Sequence, residues 1–140
     1  MSYAGDITPE EAWKLLTDNP EAVLVDCRTD AEWRFVGVAD LSSLDREVVY
    51  VEWNSSDGKH NDDFVEELLK KIGVARSDND RPVVFLCRSG NRSIGAAEAA
   101  TEAGIAPSYN VLDGFEGNLD EHKHRGGTGW KAVGLPWRQS

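Results

Sequence analysis

The sequence predicts an α/β protein with a mainly parallel central sheet and helices on both faces. Two observations predict it. The short apolar runs "AVLVDC" (22–27) and "PVVFLC" (82–87) lack polar alternation, the pattern of strands covered on both sides. Around them lie amphipathic and alanine-rich segments with helical spacing and helix start and stop signals. Strands alternating with helices in this way build a parallel sheet between two helical layers.

Each element follows from its residues. In "ITPEEAWKLL", Thr8 is an N-cap, Pro9 fits the first helical position and Glu11 completes a capping box. Ala12, Leu15 and Leu16 form its apolar face. The buried strand 22–27 follows. "EVVYVEW" (47–53) is a second strand candidate, and "WNSSDGKHND" a polar loop. "DDFVEELLKKIG" is an amphipathic helix: Phe64, Val65, Leu68, Leu69 and Ile72 share a face, acids lead, lysines trail and Gly73 stops it. The strand 82–87 leads into "RSIGAAEAATEAG", a helix ending at Gly104. "SYNVL" (108–112) is the last strand. Residues 118–140, rich in glycine and aromatics, form an extension packed on the same single domain, 1–140, whose core spans 8–117.

Bulk properties exclude several function classes. The chain has 140 residues and a formal net charge of −10, which argues against general nucleic-acid binding and against docking on anionic membranes. The start, "MSYAGDITPEEAW", does not read as a signal peptide, and no apolar stretch reaches membrane-spanning length, so the cytoplasm is the expected compartment. Two cysteines, Cys27 and Cys87, are too few for a disulfide framework or a four-cysteine zinc site.

Cys87 stands where such sheets place their sites, at the carboxyl end of a strand entering a helix. The following helix points its free N–H groups and positive dipole end at the sulfur. Gly90 permits the backbone angles that curl successive N–H groups into an anion-binding nest. Arg88 and Arg92 add full charges. All of these favour thiolate over thiol and make a cationic cup that activates Cys87 and receives an anion.

The segment Cys87-Arg88-Ser89-Gly90-Asn91-Arg92-Ser93 resembles the active-site loop of the single-domain rhodanese (thiosulfate sulfurtransferase) family. "VLVDCRTDAEW" (23–33) resembles the family's D-x-R-x-x-x-E-aromatic signature, matched by Asp26, Arg28, Glu32 and Trp33. "NVLDGF" (110–115) resembles its closing strand and glycine-aromatic turn. The resemblance implies that Cys87 attacks the outer sulfur of a donor such as thiosulfate, releases sulfite and carries a persulfide that a thiol or cyanide then removes. It implies loop N–H groups that stabilise the persulfide and an Arg88 that holds the donor's anionic group. Arg92 shares that role or braces the loop, and the Ser93 hydroxyl bonds the sulfur or caps the helix. No metal or other cofactor is implied.

Two departures stand out. Where the family continues Glu-aromatic-x-x-Gly-His-Ile, "EWRFVGVAD" has an extra residue and no histidine, and only Gly114 precedes Phe115 where two glycines are usual. The rival readings are a cysteine phosphatase or arsenate reductase, whose loops close a larger ring, and a persulfide carrier that hands sulfur to a protein partner.

The remaining residues take blander readings. Asp26 and Arg28, two apart on a strand, point the same way and are expected to form a structural ion pair near the site. Cys27 is expected to be a small core residue, with a resolving thiol as the sharper alternative. His122 and His124 fit no zinc spacing and read as a polar loop. Trp130 and Trp137 are expected to anchor the tail, with shielding of the cup as the alternative. His60 has no partner visible from the sequence.

Overall fold

The computed structural model describes residues 3–72, 81–105 and 107–139. The two apolar runs become the middle of the sheet. Strand β2 (Val23–Asp26) pairs in parallel with β5 (Val83–Leu86), Val23 opposite Val83 and Asp26 opposite Leu86. On the other side of β5 lie β6 (Ser108–Val111) and then β1 (Gly5–Ile7); beyond β2 lies β4 (Val49–Tyr50). The order is β1-β6-β5-β2-β4 and every pairing is parallel. The expected α/β class with a parallel central sheet is the class observed.

Strand alternation divides the core between two faces. Val25, Cys27, Val83, Phe85 and Cys87 pack with Phe64, Leu68 and Ile72 of α3 (Phe64–Ile72) and the alanines of α4 (Arg92–Glu102). Leu24, Val84 and Leu86 face the opposite way, onto Ala12 and Leu16 of α1 (Pro9–Asp18), Phe115 and Trp130. Trp130 is fully buried, packs edge-on against Trp13 with centroids 5.9 Å apart, and donates its indole N–H to the Pro136 carbonyl at 2.8 Å.

Helix α1 has the expected capping box, with Thr8 and Glu11 exchanging side-chain-to-backbone bonds. The expected stop of α3 at Gly73 lies outside the described residues. The strand expected over 47–53 is a ladder of two residues, although the Val51 and Trp53 amides still donate to the carbonyls of Asp26 and Cys27. Five elements were not anticipated: β1, α2 (Asp30–Phe35), a single 3-10 turn (Ser42–Leu44), β3 (Val38–Ala39) and β7 (Trp137–Arg138). The last two pair antiparallel, Val38 opposite Arg138 and Ala39 opposite Trp137, tying the tail to the segment after α2. Among the described residues no helix is long and apolar enough to cross a membrane.

Candidate active site

Residue 87 is the first past β5, and α4 begins at Arg92, so residues 88–91 turn the chain around the sulfur. The Gly90 N–H donates to Cys87 Sγ at 3.2 Å and the Ser93 N–H at 3.4 Å, while Ser93 Oγ lies 3.1 Å away. Asn91, the N-cap of α4, makes no capping bond with its side chain. The sulfur therefore accepts the first-turn N–H that a capping oxygen would ordinarily take. Gly90 holds φ at +96°, and a Cβ there would meet the Asp113 N and Val111 O at 3.2 Å each.

A second turn, residues 113–117, supports the cup from below. Phe115 N–H donates to the Cys87 carbonyl at 2.8 Å, and the Glu116 and Gly117 N–H groups donate to the Arg88 carbonyl at 2.9 and 3.2 Å. Gly114 makes this approach feasible: a Cβ there would sit 2.3 Å from the Cys87 carbonyl oxygen. With the loop carbonyls tied to this turn, the loop's N–H groups are left for the sulfur side.

The two arginines of the cup differ. Arg92 makes a two-pronged bridge to Glu32 of α2, Nη1 to Oε1 at 2.8 Å and Nη2 to Oε2 at 2.9 Å. Burial pushes the Glu32 carboxyl up, but Arg92 and the Thr29 donors outweigh it and hold the group at about 2. The bond to Glu32 likewise raises the Arg92 pKa. The Arg88 side chain is exposed and has no partner among the described residues. Ser89 is half-buried and Asn91 exposed.

Asp26 and Arg28 are both fully buried and paired, Arg28 Nη2 to Asp26 Oδ2 at 2.8 Å. Burial pushes the Arg28 guanidinium down, but Asp26 beside it more than compensates and its pKa is raised. Nη2 also donates to the Gly37 carbonyl at 2.7 Å, and the guanidinium lies 4.4 Å over the Phe115 ring. Arg28 thus reaches the Cys87 backbone through Phe115, whose N–H holds the Cys87 carbonyl. Cys27 sits beside Cys87 on the same face, fully buried, its thiol donating to the Leu86 carbonyl at 3.4 Å. Burial pushes that thiol well above its ordinary range.

Beneath Ser93 lies a polar string that sequence reading missed. Ser93 donates to Asn110 Oδ1, Asn110 Nδ2 donates to Asp6 Oδ1 at 3.0 Å, and the Tyr3 hydroxyl donates to the same carboxylate oxygen at 2.7 Å. The available signal was Asn110 itself, a polar residue in a central strand that needs partners once buried. His122 and His124 are exposed on a turn closed by Asp120. His60 packs edge-on against Trp53, centroids 4.5 Å apart.

Parallel sheet, strand-end cysteine and curled N–H loop together define a rhodanese-like protein. A rhodanese-like domain protein from Staphylococcus aureus shares this fold, with a TM-score of 0.57 at 18% identity over 97% of this chain and 98% of that one. The chain belongs to the family described as STR4 middle domain, whose model matches residues 4–140. A crystal structure of Rv0390 from M. tuberculosis is 71% identical, with a TM-score of 0.91 over 99% of this chain and 100% of that one. An uncharacterized protein of Rickettsia conorii is 36% identical across 95% of this chain and 96% of its own length. The thiosulfate sulfurtransferase GlpE of Glaesserella parasuis is 31% identical across 80% and 83%.

Proposed function

We propose that this protein is a sulfurtransferase in which Cys87 carries sulfane sulfur as a persulfide. The observation that carries the reading is the sulfur of Cys87 facing two converging N–H donors from Gly90 and Ser93. Such donors favour an anionic sulfur, first the thiolate and then the terminal sulfur of the persulfide. The Cys87 thiolate attacks the outer sulfur of thiosulfate, the S–S bond to the sulfonate breaks, and sulfite leaves with the bonding pair. A thiol or cyanide then takes the outer sulfur and regenerates the thiolate. Likeness to a thiosulfate sulfurtransferase supports the reading.

Arg88, exposed and without a partner among the described residues, meets the donor's sulfonate. Arg92, committed to Glu32, braces the loop. Ser89 and Asn91 line the mouth of the cup. Asp26 and Arg28 hold the turn beneath it. We place the reaction in the cytoplasm, among the small thiols that accept sulfur.

The test is the intact mass of wild type and Cys87→Ser after thiosulfate and desalting. Wild type gains about 32 Da, cyanide removes it, and the variant gains nothing. A folded wild type that gains no mass refutes the proposal and moves the phosphatase and arsenate reductase readings ahead.

A further inference from the structure

The polar string behind Cys87 has a direction, and Asp6 sets it. The Asp6 carboxylate can only accept, so the amide nitrogen of Asn110 must face it, as the 3.0 Å Nδ2–Oδ1 bond has it. That turns Asn110 Oδ1 toward Ser93. An amide oxygen also only accepts, so Ser93 gives Asn110 its single hydroxyl proton. What Ser93 Oγ then presents to Cys87 Sγ, 3.1 Å away, is a lone pair. Cys87, Ser93 and Asn110 are each no more than 1% exposed, so water does not compete for the Cys87–Ser93 and Ser93–Asn110 contacts, while Asp6 at the end of the string is exposed. The bond to Asp6 holds the Tyr3 phenol at about 12, so Tyr3 remains a donor throughout the working range.

We propose that Asp6, acting through Asn110, is a positioning residue that makes the Ser93 hydroxyl accept from the Cys87 thiol instead of donating to its anion. This rests on the sulfurtransferase reading and deepens it by assigning the hydrogen-bonding role of the hydroxyl beside its nucleophile. The two N–H donors favour the anion, and the hydroxyl favours the thiol. Ser93 serves the anion only after its hydroxyl leaves Asn110. Other charged or titratable groups near Cys87 are Cys27 from the end of β2, Arg92 of the cup and Glu32 of α2, which compensates Arg92, with Arg88 next to Cys87 in the chain and exposed. None of them lies in the string, so their effects are common to the variants compared below.

The experiment is the pH dependence of iodoacetamide alkylation at Cys87, followed by peptide mass so that Cys27 is counted separately. It is run on four proteins: wild type, Ser93→Ala, Asp6→Ala and Asp6→Ala/Ser93→Ala. Asp6→Leu, which likewise offers no acceptor, serves as a second background should Asp6→Ala melt early. In wild type, Ser93→Ala leaves the titration midpoint unchanged or lowers it. Once Asp6 no longer fixes the amide, Asn110 turns over and Ser93 donates to sulfur. There Ser93→Ala raises the midpoint by about one pH unit, the scale of a hydrogen bond to a charged group. Such non-additivity is the signature of coupling through a shared network. A rise of about one unit in wild type itself overturns the proposal, and so does no rise in either background. The assay reads acidity without any sulfur donor. Failure of persulfide formation would thus refute the sulfurtransferase reading alone, and failure of the cycle would refute this proposal alone.

Discussion

Replacing Glu32 by Gln tests the bridge that anchors the cup to α2. Glutamine keeps the shape and the Thr29 contacts but removes the charge that faces Arg92. Burial raises the wild-type carboxyl and Arg92 more than offsets it, so the group falls from its ordinary 4.5 to about 2. That difference corresponds to about 3 kcal/mol of native-state stability at neutral pH. Both side chains are mostly covered, 23% and 19% exposed, so solvent screening trims the figure only modestly. A carboxyl whose folded value is depressed stabilises the fold above its unfolded value and loses that contribution as pH falls through the folded one. Urea unfolding at several pH values reads this directly. Wild type should exceed Glu32→Gln by about 2–3 kcal/mol at pH 5.5 and above, and by less than half of that near pH 3. The gap should close toward pH 2 and below. A gap that stays constant from pH 6 to pH 2.5 would refute the reasoning, because it would show that the loss is one of shape and not of charge.

Two further substitutions, with Gly126→Ala as a control, separate support of the loop from its chemistry. Gly114→Ala places a Cβ 2.3 Å from the Cys87 carbonyl at a φ of +57° and should cost about 3 kcal/mol or more in urea unfolding. Gly126→Ala, with φ at +106° and nothing within 4 Å, isolates the backbone contribution; equal losses in the two variants would dismiss the steric argument. Arg88→Ala should leave stability within about 0.5 kcal/mol and raise the donor KM about tenfold. A KM equal to that of wild type would remove Arg88 from donor binding.

What could be read from the sequence followed the strength of its local signals. The central strands β2 and β5 are uninterrupted apolar runs, and α1 announces itself with Thr8, Pro9 and Glu11. Helix α2 carries the same capping-box chemistry in Thr29 and Glu32 but escaped notice. It is six residues long and buries none of them, so no apolar period marks it. Strand β1 is three residues, Gly-Asp-Ile, and exists through its ladder with β6, a long-range partner that local patterns do not name. The cysteine and its glycine loop stood out because their chemistry is local. Their partners come from three other elements: Glu32 stood in the D-x-R-x-x-x-E signature, but its bridge to Arg92, like the roles of Asn110 and Asp6, emerges only when the sheet is assembled.

The first departure from the rhodanese pattern and the aromatic tail form one structural feature. The extra residue before Gly37 and the absent histidine fall where β3 begins, and β3 is the strand that pairs with β7 of the tail. Gly37 holds φ at +116°, and a Cβ there would lie 2.8 Å from the Arg138 carbonyl, so the tail strand presses directly onto this glycine. The Gly37 carbonyl in turn accepts from Arg28, whose guanidinium lies over Phe115. The Phe115 N–H holds the Cys87 carbonyl. Trp137 of β7 also meets Phe115 edge-on, centroids 6.2 Å apart. A continuous line of contacts therefore runs from the tail to the backbone of the cysteine. A buried arginine paired with one aspartate is costly to keep unless it serves geometry, and here it locks the turn that shapes the cup. The residues that replace the family's histidine segment thus support the loop from below, through contacts that end on the Cys87 carbonyl and not on its sulfur.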